Sequence, residues 1–154
     1  MQAELGPDGV LRCPWGNSAP EYPKYHDEEW GWPVTDDQKL FEKLCLESFQ
    51  SGLAWITVLR KRDAFHRAFH DFEPAAVAAM GPEDVERLLD DDSIIRHRGK
   101  IESTINNARR LLELHETQSL SSLVWAHEPA EPSPMAAQTP ESVALAKDLK
   151  QRGF

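Results

Sequence analysis

The sequence predicts an all-α domain. Apolar residues recur at helical spacing through several long stretches, helix-start signals stand ahead of those stretches, and no segment alternates convincingly at period two. The chain has 154 residues, about one domain, with 40% hydrophobic and 28% charged residues, a globular balance.

Residues 1–12 read as a disordered or loose tail and residues 13–154 as a single domain. From 13 to 34 the chain is rich in Pro, Gly and aromatics with little periodicity, so something else must hold it in place. Thr35-Asp36-Asp37-Gln38 has the form of a capping box, a hydroxyl followed three residues later by an amide side chain. The helix it opens carries Leu40, Phe41, Leu44, Cys45 and Ser48 on one face and ends near Gly52. A second helical stretch runs from about Leu53 to Phe69 and is broken by Phe72-Glu73-Pro74. A short helix follows over Ala75–Met80, and Gly81-Pro82 starts another that runs through Leu89. Between Ile94 and Leu114, residues Ile94, Ile101, Ile105, Ala108, Leu111 and Leu112 fall at helical spacing. Glu128 to Pro140 holds four prolines and reads as a loop. Thr139-Pro140-Glu141 is an N-cap with proline at the first helical position, and the last helix runs to about Gln151 with Gly153 as its C-terminal cap.

The net charge of -9 opposes a generic nucleic-acid coat, because a field of that sign repels phosphate. The charge is uneven. An acidic block, Glu83, Asp84, Glu86, Asp90, Asp91 and Asp92, is followed by Arg96, Arg98, Lys100, Arg109 and Arg110, opposed only by Glu102. Arg96, Arg98 and Lys100 are the candidates for a DNA-backbone contact, against the alternative of solvated helix faces. The N-terminus has neither the basic run nor the apolar core of a signal peptide, and no apolar stretch approaches the ~18 residues that span a bilayer, so no membrane partner is expected. Two cysteines, Cys13 and Cys45, are fewer than a secreted disulfide scaffold carries, which points to the reducing cytoplasm.

Two constellations carry chemistry. Cys13 and His26 lie in the aperiodic segment, and thiolate and imidazole are the usual zinc ligands. A metal would order such a segment, since its binding energy becomes folding energy; separate packing and surface roles are the alternative. His66 and His70, four apart, lack a third ligand and read as solvated, and His97 between Arg96 and Arg98 reads as phosphate-facing. In the second constellation, Trp15, Trp30, Trp32 and Trp55 fall in the first 55 residues with Tyr25 among them. Such rings build either a core or a box for a flat or cationic ligand. Glu47 favours the box. Three residues after Leu44 and seven after Leu40, it sits at the edge of an apolar helical face, where a carboxylate is costly without a donor or a cation.

The runs Arg12-Cys13-Pro14-Trp15-Gly16, Tyr25-His26-Asp27-Glu28-Glu29-Trp30-Gly31, Leu44-Cys45-Leu46-Glu47, Gln50 through Arg62, and Ile94-Ile95-Arg96-His97-Arg98-Gly99-Lys100-Ile101 resemble the DNA-3-methyladenine glycosylase I family, in its order and spacing, over roughly residues 11 to 154. The resemblance implies a fold of the helix-hairpin-helix glycosylase superfamily and excision of 3-methyladenine from alkylated double-stranded DNA by a monomer. It implies a base pocket of Trp15, Tyr25, Trp30, Glu47 and Trp55, with Glu47 as the catalytic residue, accepting hydrogen bonds from the adenine edge and complementing its charge; Trp32 is outside the family's box. It also implies a structural Zn2+ on Cys13 and His26. The family's other two zinc ligands and the second helix of its DNA-binding hairpin fall beyond Phe154, so the chain is expected to be truncated at its C-terminus. A non-catalytic binder of alkylated bases and a zinc-stabilised helical interaction domain are the rival expectations.

Overall fold

The computed structural model describes residues 2–131 and 136–154. Among them the chain forms nine α-helices and one small antiparallel ribbon. The ribbon pairs β1 (Glu4–Leu5) with β2 (Leu11–Arg12), Glu4 opposite Arg12 and Leu5 opposite Leu11. Residues expected as a loose tail therefore make a hairpin. Its anchor is a single side chain, Arg12, only 4% exposed, which the two-residue strands carry inward.

The helices are α1 (Tyr22–Glu28), α2 (Asp37–Gln50), α3 (Trp55–Arg60), α4 (Arg62–Ala68), α5 (Pro74–Ala78), α6 (Pro82–Asp90), α7 (Arg98–Leu114), α8 (Leu120–Trp125) and α9 (Pro140–Gln151). The cap of α2 is Asp36 rather than Thr35: the Asp36 carboxylate accepts from the Lys39 amide at 2.9 Å. Gln38, expected as the capping amide, instead donates its Nε2 to the Asp71 carbonyl. The expected helix from Leu53 to Phe69 is two helices that meet at Lys61, whose ammonium is drawn to the carbonyls of Asp92 and Ser93. α7 starts at Arg98, four residues later than expected. Ile94 is buried at the turn that precedes it, and the His97 ring caps the helix by accepting from the Lys100 amide. Of the predicted proline-rich loop, residues 132–135 lie outside the described residues.

The core sits around α2 and α7, with α5 and α6 against α7, and α3 and α8 against α2. Five phenylalanines, Phe41, Phe49, Phe65, Phe69 and Phe72, are fully buried. Phe49 meets Phe65 at a centroid distance of 4.5 Å, and Phe72 lies 5.7 Å from Phe69 and 6.2 Å from Phe41. Burying Phe72 bends the backbone: His70, Asp71 and Phe72 all take φ of 52 to 56°, a region that side-chain-bearing residues enter at a cost and hold only when packing enforces it. Asp37 fastens the start of α2 to the start of α8. Its carboxylate accepts from the Leu120 and Ser121 amides at 2.8 Å and meets His115 Nε2 at 2.7 Å. Burial raises the pKa of this carboxyl, but the two amides and the imidazole outweigh it, and the net shift is downward.

Phe49 closes this cluster directly beneath the turn that ends α2. Phe49→Ala should cost roughly 3–5 kcal/mol, measured by urea unfolding with an unchanged slope. A loss below about 1 kcal/mol would show that the cluster repacks around the gap.

Candidate functional site

The aperiodic N-terminal segment is held by one guanidinium. Arg12 donates to both Asp27 oxygens, at 2.6 to 3.0 Å, and to both Asp8 oxygens, at 2.7 and 2.8 Å. The arginine holds both carboxyls below their usual range, Asp8 at about 2. Asp27 in turn meets His26 Nδ1 at 2.9 Å, while the Cys13 amide donates to His26 Nε2 at 3.3 Å. Gly16 leaves room for this ring: a Cβ there would lie 2.8 Å from His26 Cδ2.

The imidazole then becomes part of an aromatic wall. It lies 5.0 Å from the Trp15 ring and stacks on Trp30 at 5.7 Å with 20° between planes. Trp15 also meets Trp30 edge-on at 5.1 Å and Tyr25 at 6.3 Å, and Tyr25 meets Trp55 at 5.6 Å. These four rings and Glu47 line one cavity of about 310 Å³, so the structure brings together all five residues that the sequence singled out for a pocket. Two further residues join them that the sequence reading missed, Tyr22 and Gln50. Both carry a spacing signal: Tyr22 is three residues before Tyr25 on α1, and Gln50 three after Glu47 on α2. Trp32 points elsewhere, 61% exposed, with its indole N–H donated to the Asp27 carbonyl.

Glu47 is exposed to solvent at the mouth of the cavity, and among the described residues it has no hydrogen bond or ion pair. Desolvation raises its pKa, opposed by the charge of Lys43 one turn earlier. Tyr25 is pushed up to about 12 by burial and by the nearby Glu47 and Glu29, so its hydroxyl keeps its proton. The indole N–H of Trp55 is buried without a partner. A slot of electron-rich ring faces with one under-paired carboxylate suits a flat, positively charged, hydrogen-bonding ligand.

A second cavity of about 500 Å³ lies behind the first and shares Tyr25, Trp30 and Glu47 with it. Its wall is charged. Arg62 bridges Glu29, at 2.8 and 2.9 Å, to Glu42 at 3.1 Å, and Glu42 accepts from or shares a proton with His66 at 3.1 Å. His66, expected to be solvated, is thus half-buried between Glu42 and Asp71.

The three basic residues expected at DNA phosphates are placed differently from one another. Arg96 is exposed, with no ion pair among the described residues. Arg98 pairs with Glu86 at 2.8 Å. Lys100 donates its ammonium to the Phe49 and Ser51 carbonyls at 2.8 and 2.6 Å, which closes the end of α2. Cys13 and His26 are neighbours, yet no group of three or more potential metal ligands occurs among the described residues. No described helix is long and apolar enough to cross a membrane.

Residues 15–154 match the model of the family described as methyladenine glycosylase. The chain is 49% identical to DNA-3-methyladenine glycosylase 1 of Escherichia coli K12, over 93% of its own length and 81% of that protein's. A crystal structure of 3-methyladenine DNA glycosylase I superposes with a TM-score of 0.86 at 50% identity, covering 93% of this chain and 84% of that one. A second, of a variant 3-methyladenine DNA glycosylase I in complex with 3-methyladenine, superposes at 0.85 with 36% identity, covering 93% and 82%.

The raised pKa of Glu47 has a consequence for stability. Its protonated form is favoured in the folded state, so its contribution is complete below the unfolded value of about 4.5 and is lost as pH rises through the higher folded value. Glu47→Gln should therefore raise the melting temperature at pH 7, with the gain vanishing below about pH 4. A variant less stable than wild type at pH 7 would show that the carboxylate is paired.

Proposed function

The chain belongs to the methyladenine glycosylase family, and from that membership we propose how its own residues perform the family's reaction. It is a base-excision DNA glycosylase, a hydrolase that cleaves the N-glycosidic bond of 3-methyladenine in alkylated DNA and releases the free base. A base inside a duplex is out of reach of a protein pocket, so the target nucleotide is flipped out of the stack.

One observation carries the residue-level reading: five aromatic rings and one carboxylate without an ion pair among the described residues converge on a single cavity. Trp15, Tyr25, Trp30 and Trp55 supply faces for a flipped purine, and such stacking is worth ~1–3 kcal/mol per base. Methylation at N3 leaves the purine formally cationic while it is attached to the sugar, and ring faces favour a desolvated cation by up to ~2 kcal/mol. Glu47 accepts hydrogen bonds from the edge of the adenine and complements its charge. The base is already activated to leave, so selection by charge and shape replaces strong general-acid assistance, and water adds to the sugar.

Outside the pocket, Arg96 is the best placed of the basic residues to meet the DNA backbone, since Arg98 and Lys100 have internal partners. A structural Zn2+ fits the chemistry of Cys13 and His26. The Cys13 backbone and the imidazole are adjacent, and Asp27 fixes the ring through Nδ1; Nε2, which accepts from the Cys13 amide, would exchange that hydrogen bond for the metal. These two supply half of the usual four ligands. A metal here would lock the ring against which Trp15 and Trp30 pack. The working form in this reading is a monomer, with a pocket complete in one chain, in the reducing cytoplasm where both cysteines stay free.

Release of free 3-methyladenine from methylated duplex separates this enzyme from a binder that does not cut. Glu47→Ala should reduce release by roughly 100-fold, on the scale of losing one key electrostatic group, while duplex affinity changes much less; wild-type release would remove Glu47 from the mechanism. Excess Zn2+ should raise the melting temperature, by about 2–4 °C for each kcal/mol of binding linkage. Cys13→Ser should abolish the shift, and no shift in the wild type would remove zinc.

A further inference from the structure

Among the described residues, Lys43 is the cation that lies over the pocket's rings. Its ammonium lies 5.1 Å from the centroid of Tyr25 and 5.5 Å from that of Trp55, and the two rings are 5.6 Å apart. Cation, phenol and indole thus stand at the corners of a nearly equilateral triangle. The lysine precedes Glu47 by one helical turn on α2, which puts both on one face. It lines the larger cavity and not the smaller one, whereas Tyr25 and Glu47 line both. A base seated in the smaller cavity therefore need not displace the ammonium.

Among the described residues Lys43 has no ion pair or hydrogen bond, although Glu29 and Glu42 line the same cavity. Those two carboxylates are drawn to Arg62 instead. The half-buried ammonium is held by ring faces and makes no direct ion pair among the described residues.

Resting on the glycosylase reading above, we propose that Lys43 tunes the reaction electrostatically: its fixed positive charge repels the cationic methylated base in the bound state, and that repulsion is relieved as the base leaves. The step balances as follows. The bond between N9 of the purine and C1′ of the sugar breaks, and both electrons go to the base, which becomes neutral. Positive charge appears on the sugar, outside the slot; the oxygen of water bonds to C1′ and its proton passes to solvent. A cation behind the base thus opposes the ground state more than the transition state, which raises kcat at some expense in KM.

The test is steady-state release of base from methylated duplex by wild type, Lys43→Met and Lys43→Arg, together with inhibition by free 3-methyladenine, which has lost the charge. The methionine variant keeps the length of the stem and removes the charge. It should lower kcat roughly tenfold and lower KM in the same experiment, because the cationic base is bound without repulsion. Inhibition by the neutral free base should be unchanged or weaker, and Lys43→Arg should stay near wild type. Lower kcat with weaker binding of both duplex and free base would mean that Lys43 merely shores up the rings, and would overturn the proposal. So would an unchanged kcat in Lys43→Met. If the wild type releases no base, the glycosylase reading fails and this inference falls with it; an active wild type with an indifferent methionine variant sinks this inference alone.

Discussion

The pocket depends on one guanidinium buried between two carboxylates. The segment from 13 to 34 has no amphipathic period that would fold it onto the helices, yet it supplies Trp15, Tyr22, Tyr25 and Trp30 to the cavity. Arg12 resolves this. Its N–H groups reach Asp8 and Asp27, with Asn17 Oδ1 accepting from Nη1, in a geometry that suits a planar fork. The hold passes along the chain, from Arg12 to Asp27, from Asp27 to the His26 ring, and from that ring to the faces of Trp15 and Trp30. Removing one partner of such a network strands a buried charge, a costlier event than losing an exposed ion pair. The zinc proposed on Cys13 and His26 would act on the same ring, so metal and guanidinium would brace one wall from two sides.

The rest of the domain is conventional in its stability and so permits an unsatisfied pocket. Phenylalanines close-pack under α2, and Asp37 satisfies two amides at the start of α8. Against this background stand a carboxylate raised by desolvation, an indole N–H with no partner, and an ammonium resting on ring faces. The carboxylate and the indole N–H lack partners among the described residues and suit a ligand that brings a positive charge and hydrogen-bonding edges, whereas the ammonium, held by the rings, opposes that charge. That is the usual separation between residues that stabilise a fold and residues that make it work.

Much of this was legible in the sequence, for reasons that differ between elements. The long helices α2 and α7 bury whole stripes, so their periodicity is plain, whereas α1 and α8, of seven and six residues, are too short to show a period. The pocket residues could be singled out because Glu47 breaks the chemistry of an apolar face close to a dense group of rings. Tyr22 escaped because its partner spacing to Tyr25 has meaning only once α1 is known to be a helix. The hairpin of 4–12 escaped because its cause is a single buried arginine, not a pattern. Lys100 shows the opposite limit: charge and neighbourhood place it with Arg96 and Arg98, and only the fold shows that its ammonium closes the end of α2.

The acidity of the chain, which at first argues against DNA, is intelligible on the same terms. Many of its cations are turned inward or paired: Arg12 with Asp8 and Asp27, Arg60 with Glu21, Arg62 with Glu29 and Glu42, Arg98 with Glu86, Arg109 with the carbonyls of Ala78 and Met80, Arg110 with Glu113. A protein that neutralises few phosphates binds DNA less tightly and with a shallower dependence on salt. In the proposed mechanism discrimination then arises at the base. An undamaged adenine is neutral and would bring nothing to offset Glu47, whereas the methylated base carries its own positive charge, which both suits the slot and activates the bond that is to break. On that reading few backbone contacts and a demanding pocket are complementary: the duplex would be held lightly, and the charge on the lesion would supply what the fold leaves unsatisfied.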